Sequence, residues 1–277
     1  AMIFGLRALL LTAVTTAACV GFEYLYCMLM KKPNPVGDLS AVVTGIILAM
    51  NFPVTLPLWM GIVGAFISIV LVKQLFGGLG YNFANPALVG RIALFSGFSS
   101  AMTNWKFPAA AVDQLSSATP LQVADPSALN PMDLFLGVHG GVMGETCALA
   151  ILIGFVWLVA TKTISPAIPV TYVATVAVMS LLCGQNVMVQ LLSGGLLFGA
   201  VFMATDYVTS PFTLKGKIVF GIGLGIITSA IRFWGNMAEG VSFAILLMNL
   251  WVPYINDLTH QVPLGYKKPE KKKEAAK

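Results

Sequence analysis

The sequence predicts an all-α integral membrane protein, and two features of its composition support that fold class. Hydrophobic residues occupy 57% of the 277 positions and charged residues only 10%, against about 25% charged residues in soluble chains. The apolar residues lie in runs of roughly 15 to 25, the length of a helix that crosses a bilayer. A membrane β-barrel would need strands of about ten residues that alternate in polarity. These runs do not alternate, so helices are predicted.

Nine helices are predicted, in the order of their apolar runs. They span residues 5–30, 38–50, 58–76, 84–98, 142–162, 166–182, 192–204, 215–233 and 240–256. The runs at 38–50 and 192–204 are short for a full crossing. The chain is accordingly divided into four parts: a first repeat over 1–98, a loop over 99–141, a second repeat over 142–257 and a basic tail over 258–277.

The placement of the lysines orients these helices. Lys31 and Lys32 follow the helix at 5–30, Lys73 and Lys162 lie at the ends of the helices at 58–76 and 142–162, and further lysines lie in the connection at 205–217 and in the C-terminal tail. With nine helices, all of these basic connections fall on one side of the membrane. Because basic connections stay in the cytoplasm, the C-terminus is predicted to be cytoplasmic and the 99–141 loop extracytoplasmic. The net charge of +5 then reflects cytoplasmic flanks and does not indicate nucleic-acid binding.

An internal repeat emerges when the chain is compared with itself at a shift of 154 residues. Gly45 then falls on Gly199, and Val54-Thr55-x-Pro57 falls on Val208-Thr209-x-Pro211. The shift moves an odd number of helices, five, so matched helices run in opposite directions, as in the inverted repeats of transporters. The predicted fold is an inverted five-plus-five helix repeat with broken helices, in which the first helix of the first repeat is mostly missing from this chain. Chance identity in a hydrophobic sequence is the alternative.

Both repeats interrupt an apolar run at matching places, 49–57 and 204–211. Paired breaks indicate a central site, because freed backbone groups are tolerated at depth only beside protein or a wet cavity. Ordinary helix-ending turns are the alternative. Asp206 is the only acid beside either break and is a candidate for binding a cation, or for capping free N–H groups. Asn82 and Glu23 are the other candidates for an ion path, although Glu23 could equally make a packing hydrogen bond.

Three further segments suggest a ligand site. Arg91 lies within a predicted helix, where it could hold a phosphate or carboxylate or form an ion pair that ties two helices. Gly144, Glu145 and Thr146 open the predicted helix at 142–162, and exposed N–H groups there would suit an anion or a flavin ring. Helix packing is the alternative role for such glycines. Residues 116–121, Ser-Ser-Ala-Thr-Pro-Leu, form a loop of small residues, a composition that ordinary surface turns also have.

Cysteine and histidine usage argues against several cofactors. The four cysteines lie within hydrophobic stretches and show no CxxC spacing, so packing is their default role. Two histidines are too few for haem or zinc inside the membrane. The chain has no dinucleotide-binding fingerprint. Neither a metal site nor a catalytic residue is predicted on this chain.

Several motifs together resemble one family closely. They lie at residues 80–91 (GYNFANPALVGR), 116–121 (SSATPL), 144–146 (GET), 202–211 (FMATDYVTSP) and 239–249 (EGVSFAILLMN). With them the chain resembles the D subunits of the Rnf complex, which are related to the B subunits of the sodium-pumping NADH:quinone reductase. The resemblance implies a membrane subunit of a complex that oxidises ferredoxin, reduces NAD and moves sodium or protons outward. A small-solute channel or transporter without a redox role is the alternative, because it can share an inverted repeat.

The resemblance also implies cofactors and partners. Thr119 would carry a flavin mononucleotide (FMN) joined through its phosphate to the hydroxyl, with Ser116, Ser117 and Ala118 as the small residues around it. The family pattern is Ser/Thr-Gly-Ala-Thr, and the small Ser117 stands here at the glycine position. Arg91 and the 144–146 segment are the other cofactor-binding candidates, and a second, noncovalent flavin such as riboflavin is left open. The A, B, C, E and G subunits of the Rnf complex would be the partners, and ferredoxin and NAD would bind to partner subunits and not to this chain.

Overall fold

A computed structural model describes residues 4–33, 35–105, 121, 131–137, 139–235 and 240–259. Every regular element within these residues is helical. The α-helices, in chain order, are α1 Leu6–Leu29, α2 Ser40–Met50, α3 Leu58–Phe66, α4 Pro86–Gly97, α5 Ser99–Met102, α6 Pro131–Leu136, α7 Ala148–Ala160, α8 Ala167–Leu182, α9 Val187–Leu192, α10 Leu196–Phe198, α11 Leu214–Trp234 and α12 Gly240–Leu258. A 3₁₀ turn, Val36–Asp38, precedes α2, and π-helical segments continue α3 over Ile67–Gln74 and α10 over Gly199–Met203.

Most predicted helices occur within two residues of their predicted bounds, and two predictions need correction. The helix expected at 142–162 begins only at Ala148, because the N–H groups of Met143 and Gly144 bond to backbone carbonyls of another segment. The helix expected at 192–204 is split into α9 and α10. Gly194 and Gly195 both have φ of +68° at the split, a left-handed conformation that ends one helix and begins the next.

Helix length and surface composition identify a membrane protein. Within the described ranges, Leu6–Leu29, Leu214–Trp234 and Gly240–Leu258 are long and apolar enough to cross a membrane, and further apolar helices of 10 to 17 residues accompany them. Large apolar side chains point outward, including Trp157 on α7 at 70% exposed and Leu182 on α8 at 77%. Such a surface is unfavourable in water and favourable in lipid.

The helices enclose two apolar cores. One core lies among α1, α2, α3 and α4 and contains Leu11, Leu48 and Phe52. The other lies among α8, α10, α11 and α12 and contains Tyr172 and Phe220. Ile47 of α2 packs against both cores. The described chain therefore consists of two helical bundles that meet along α2.

Helices approach closely where glycine faces threonine. A Cβ atom added at Gly61 of α3 would lie 2.7 Å from Thr15 Oγ1 of α1, and one added at Gly225 of α11 would overlap Thr175 of α8. Small residues at such positions allow membrane helices to pack backbone against backbone. In the first bundle α1 therefore packs closely against α3, the helix that follows the interruption at 49–57. In the second bundle α8 packs in the same way against α11, the helix that follows the interruption at 204–211.

Candidate ion and cofactor site between the two bundles

The two broken helices meet end to end at the centre of the molecule. Helix α2 ends at Met50, and the π-helical extension of α10 ends at Met203. The side-chain amide of Asn51 donates to Ile47 O across 2.7 Å and lies 3.6 Å from Met203 Sδ. The paired interruptions that the sequence contains are therefore in contact in the folded chain.

The glycine-rich segment at 140–146 closes the end of α2. Gly144 donates its N–H to Met50 O across 2.8 Å, and Met143 donates to Phe52 O across 3.1 Å. The Val142 N–H donates to Glu145 Oε1 across 3.1 Å. These N–H groups were expected to be exposed at a helix start and open to an anion. That expectation is wrong, because they satisfy carbonyl and carboxylate oxygens within the protein.

Glu145 and Thr146 lie buried beside the start of α10. Glu145 is 5% exposed, and a Cβ added at Gly195 would lie 2.9 Å from its Oε2 atom. The Thr146 side chain is 1% exposed, and its hydroxyl has no hydrogen-bond partner within the described chain. His139 spans the same segment, with Nδ1 3.1 Å from Gly140 O and Nε2 3.1 Å from Thr146 O. Burial is the main cause that lowers the pKa of His139.

Arg91 connects the two bundles. It lies on α4, is 6% exposed and donates from Nη1 to Ser242 Oγ on α12. This contact joins two helices, as the structural alternative for Arg91 expected, but through a serine hydroxyl and not through an ion pair. The ligand-binding role of Arg91 stays a prediction.

A cavity of about 430 Å³ opens between the bundles at the end where α2 begins. Apolar and aromatic side chains such as Ile47 and Phe202 form part of its wall. Polar side chains come to it from the 3₁₀ turn, α2, α3, the turn before α4 and the second break. They include Asp38, Ser40, Lys73, Asn82, Asn85 and Asp206. The structure thus brings together two of the three residues predicted for an ion path.

Asp206 occupies the capping position that was the alternative to ion binding. Its Oδ1 accepts from the Val208 N–H across 3.2 Å and its Oδ2 accepts from Thr209 Oγ1 across 3.0 Å. Since Asp206 also lines the cavity, capping orders the carboxylate at the cavity wall.

Two asparagines that line this cavity hold the turn before α4. Asn82 donates from Nδ2 to Ala84 O across 3.0 Å. Asn85 caps α4 by accepting from the Leu88 N–H across 3.3 Å, and its amide nitrogen lies 3.5 Å from Met203 O. Asn85 therefore ties the start of α4 to the end of the second broken helix.

Glu23, the third ion-path candidate, lies behind this cavity. It is fully buried on α1, and its Oε1 accepts from Lys73 Nζ across 2.6 Å and from Gln74 Nε2 across 2.8 Å. Sequence reasoning assigned Lys73 to a cytoplasmic flank, but the residue is 2% exposed. The available signal was Lys73-Gln74 at the end of an otherwise apolar run, where a charge needs a partner.

The predicted flavin loop lies largely outside the described residues. Thr119, Ser116, Ser117 and Ala118 all belong to that part of the chain, and Leu121 is the nearest described residue after them. A Cβ added at Gly194 would overlap Leu121 Cδ1 and lie 2.6 Å from Arg232 Nη2. The end of the loop therefore lies at the junction of α9 and α10.

Arg232 fixes that junction. Its Nη1 donates to Gln190 O across 2.7 Å, and its Nη2 donates to Ser193 O and Gly194 O across 3.0 Å each. Carbonyls at the end of a helix lack intrahelical donors, and the guanidinium supplies them. The cysteines elsewhere in the molecule are free thiols, and the described residues contain no group of three or more potential metal ligands.

Comparison with known proteins gives a consistent family relationship. Residues 1–265 match the family described as NQR2, RnfD, RnfE. The D subunit of the Na⁺-translocating ferredoxin:NAD⁺ oxidoreductase complex of Acetobacterium woodii is 44% identical, over 99% of this chain and 87% of that protein. The D subunit of the proton-translocating ferredoxin:NAD⁺ oxidoreductase complex of Clostridium ljungdahlii is 37% identical, over 95% and 85%. The D subunit of an ion-translocating oxidoreductase complex of Stutzerimonas stutzeri is 37% identical, over 92% and 84%. These matches confirm the resemblance that the motifs indicate.

Proposed function

Because this chain belongs to the NQR2, RnfD, RnfE family, we propose that it is the D-type membrane component of an ion-translocating ferredoxin:NAD⁺ oxidoreductase complex. The observation that carries the proposal is the 44% identity over 99% of the chain with a protein of that name. The A, B, C, E and G subunits of the Rnf complex are then the partners, and ferredoxin and NAD bind to partner subunits and not to this chain. This chain contributes membrane helices, an ion path and a flavin carrier.

The carrier is an FMN attached to Thr119 through its phosphate. A flavin would supply one- and two-electron transfer. The Thr119 hydroxyl is the anchor, and the small Ser116, Ser117 and Ala118 leave room beside it. Two observations from the described residues are compatible with a bulky group nearby. Leu121 packs against Gly194 at the α9–α10 junction, and the buried Thr146 hydroxyl lacks a partner within the described chain.

The inverted repeat is supported by the order and packing of the helices. Shifting the bounds of α4 by 154 residues gives 240–251, within α12, and shifting those of α2 gives 194–204, which covers α10 and its extension. In both bundles the first long helix packs against the helix after the break, α1 against α3 and α8 against α11. The breaks at Met50 and Met203 are then equivalent ends of two half-helices that run in opposite directions.

The ion path runs through the cavity between the bundles, which we place at the cytoplasmic side from the lysine distribution. Asp206 supplies the negative charge, and the amide oxygens of Asn82 and Asn85 supply further hard ligands of the kind that sodium prefers. The cavity volume of about 430 Å³ lies within the usual range for small-molecule sites, about 300 to 1,000 Å³. Its wall includes Phe202 and Tyr207, so the same cavity fits the second, noncovalent flavin that the family resemblance leaves open.

Affinity purification from the native membrane tests the proposed function. An affinity tag on the C-terminus of this chain should retrieve the other Rnf subunits and ferredoxin-dependent NAD reduction, with yellow colour that stays on this polypeptide after denaturation. The small-solute channel predicts a colourless chain that purifies without those subunits. Recovery of such a chain from a host that contains the flavin attachment enzyme would overturn the redox proposal.

A further inference from the structure

Asn249 of α12 is a buried amide at a point where three segments meet. Its side chain is 3% exposed. With the amide oriented so that its donors face acceptors, Nδ2 donates to Thr209 O across 3.1 Å and to Ile245 O across 3.3 Å. In the same orientation Oδ1 accepts from the Asn85 N–H across 3.3 Å. One side chain thus joins α12, the second break and the start of α4.

The bond to Thr209 satisfies a backbone group that the break leaves outside any helix. Thr209 lies between the end of the π-helical segment at Met203 and the start of α11 at Leu214, and it is 4% exposed. A buried carbonyl needs a donor, and in a membrane protein that donor must come from protein or from a wet cavity. Asn249 supplies it and thereby fixes the position of the Thr209 backbone.

The position of Thr209 in turn fixes the Asp206 carboxylate. The Thr209 hydroxyl donates to Asp206 Oδ2 across 3.0 Å. Threonine is β-branched, so its side chain has few accessible rotamers and the direction of its hydroxyl follows the backbone. A hydrogen-bonded path therefore runs from Asn249 through Thr209 to a carboxylate at the cavity wall.

We propose that Asn249 is a positioning residue for Asp206, and that it sets the spacing between the Asp206 carboxylate and the turn before α4. Both sides of the cavity are bonded to the same amide, on one side through Thr209 and on the other through the Asn85 N–H. Groups that orient ligating side chains from behind determine how well a site holds its ligand. The inference rests on the proposed function, in which Asp206, Asn82 and Asn85 serve the ion.

Asn256 provides a matched control on the same helix. It follows Asn249 by seven residues, about two helical turns, and its Oδ1 accepts from the Phe212 N–H across 3.2 Å. Asn256 thus also ties the connection before α11 to α12, but it does so three residues beyond Thr209. If the two asparagines only anchored this connection, their replacement would have similar effects.

The other charged groups at the cavity have partners of their own. Asp38 accepts from Ser40, and Lys73 is paired with Glu23. Tyr207, the titratable neighbour of Asp206, is 69% exposed. Substitution of Asn249 changes none of these contacts, so a shift in ion dependence reports on Asp206.

The ion dependence of ferredoxin-driven NAD reduction by the reconstituted complex tests the inference. Wild type is titrated with sodium chloride at fixed pH and with protons at fixed sodium, and the ion that changes its rate defines the scale. Asn249→Leu should raise the half-saturating concentration on the order of 10-fold, because a hydrogen bond to a charged group is weakened. The rate at saturating ion should stay near wild type. Asn256→Leu should change neither quantity.

A double-mutant cycle tests whether Asn249 acts through Thr209. Thr209→Val removes the hydroxyl, keeps the branched shape and should raise the half-saturating concentration by a similar factor. The double variant Asn249→Leu, Thr209→Val should do no more than the larger single change, because both remove the same bond. Multiplying effects would overturn the inference. If Asn249→Leu does not assemble, Asn249→Gln takes its place, and its longer stem should shift the ion dependence in the same direction.

Asp206→Asn separates failure of the inference from failure of the proposed function. If Asp206→Asn loses the ion dependence and Asn249→Leu keeps that of wild type, the positioning role is overturned and the ion path through Asp206 holds. Equal shifts in Asn249→Leu and Asn256→Leu would also overturn the positioning role. If Asp206→Asn itself keeps the wild-type ion dependence, the ion path through Asp206 fails, and the inference fails with it.

Discussion

Gly144 donates its backbone N–H to Met50 O across 2.8 Å, and this bond joins the segment before α7 to the end of the first broken helix. The absence of a side chain at Gly144 makes the approach possible. A Cβ atom there would lie 2.8 Å from Met50 Cβ, 2.9 Å from Met50 O and 2.9 Å from Phe198 Cε2. The two broken helices are thus held in place by a residue that belongs to neither.

Gly144→Ala should therefore destabilise the protein. Overpacking of a well-filled site typically costs about 1 to 3 kcal/mol, and the thermal unfolding midpoint in detergent should fall accordingly. Gly21→Ala is a matched control, since a Cβ at Gly21 in α1 meets no atom within 4 Å and should be neutral or stabilising by up to about 1 kcal/mol. Equal midpoints for the two variants would contradict the close approach at Met50.

Thr119→Ala should abolish the in-gel flavin fluorescence of this chain and leave its membrane insertion intact, because only the anchoring hydroxyl is lost. Ser117→Gly restores the glycine of the family pattern and should keep the fluorescence, which provides a control at the neighbouring position. Fluorescence that persists on Thr119→Ala would mean that the flavin is attached elsewhere.

The topology can be tested with cysteines introduced after Cys19, Cys27, Cys147 and Cys183 are replaced by alanine. A cysteine at Ser127 should react with a membrane-impermeant thiol reagent on intact cells, and one at Glu274 should react only after the membrane is opened. This pattern follows from the lysine distribution. Labelling of the tail alone on intact cells would reverse the assignment of the two sides.

Asp206→Asn removes the negative charge of this side chain at the cavity but keeps its size and shape. The amide oxygen can still accept from the Val208 N–H, so the variant should assemble, but it should move fewer ions per NAD reduced in reconstituted vesicles. Thr209→Ala removes a hydrogen bond of 3.0 Å to the carboxylate and keeps its charge, and it should retain coupling. If both variants retain full coupling, Asp206 acts only as a cap.

His139 should give the folded chain a pH-dependent stability. Burial lowers its pKa, so the folded chain binds a proton less readily than the unfolded chain, whose histidine titrates near about 6.5. The contribution of His139 to the free energy of unfolding is therefore fully present above that pH. It is lost as the pH falls through the lower pKa that His139 has in the folded chain. A neutral ring also has one N–H for the two carbonyls at 3.1 Å. Unfolding midpoints should fall on acidification less steeply for His139→Gln than for wild type, and identical slopes would contradict this assignment.

The helices could be predicted from the sequence because long apolar runs have few other stable forms in a membrane. What could not be predicted depends on contacts between distant segments. The N–H groups of Met143 and Gly144 bond to carbonyls more than 90 residues earlier in the chain, so an expected helix turn became a loop. Lys73 fitted the pattern of a cytoplasmic flank, and only the folded position of Glu23 explains why it turns inward.

The parts of the candidate site that could be predicted are those with a local sequence signal. The paired breaks and Asp206 were evident as local interruptions of apolar runs. By contrast, Asn85 is a helix cap by its local sequence, and its contact with Met203 O, 118 residues later, follows only from the packing of one bundle against the other. The flavin attachment at Thr119 stays a prediction.

The π-helical segment Ile67–Gln74 determines the rotational phase of everything that follows it in that helix. A π-turn contains one residue more than an α-turn, and one residue corresponds to a rotation of about 100° around the axis. Deleting a single residue here, for example Val70, would turn Lys73 and Gln74 away from α1. Glu23 would then be left as an unpaired charge in the membrane interior. Shortening the π-helical segment by one residue would therefore leave Glu23 on α1 without its partners Lys73 and Gln74.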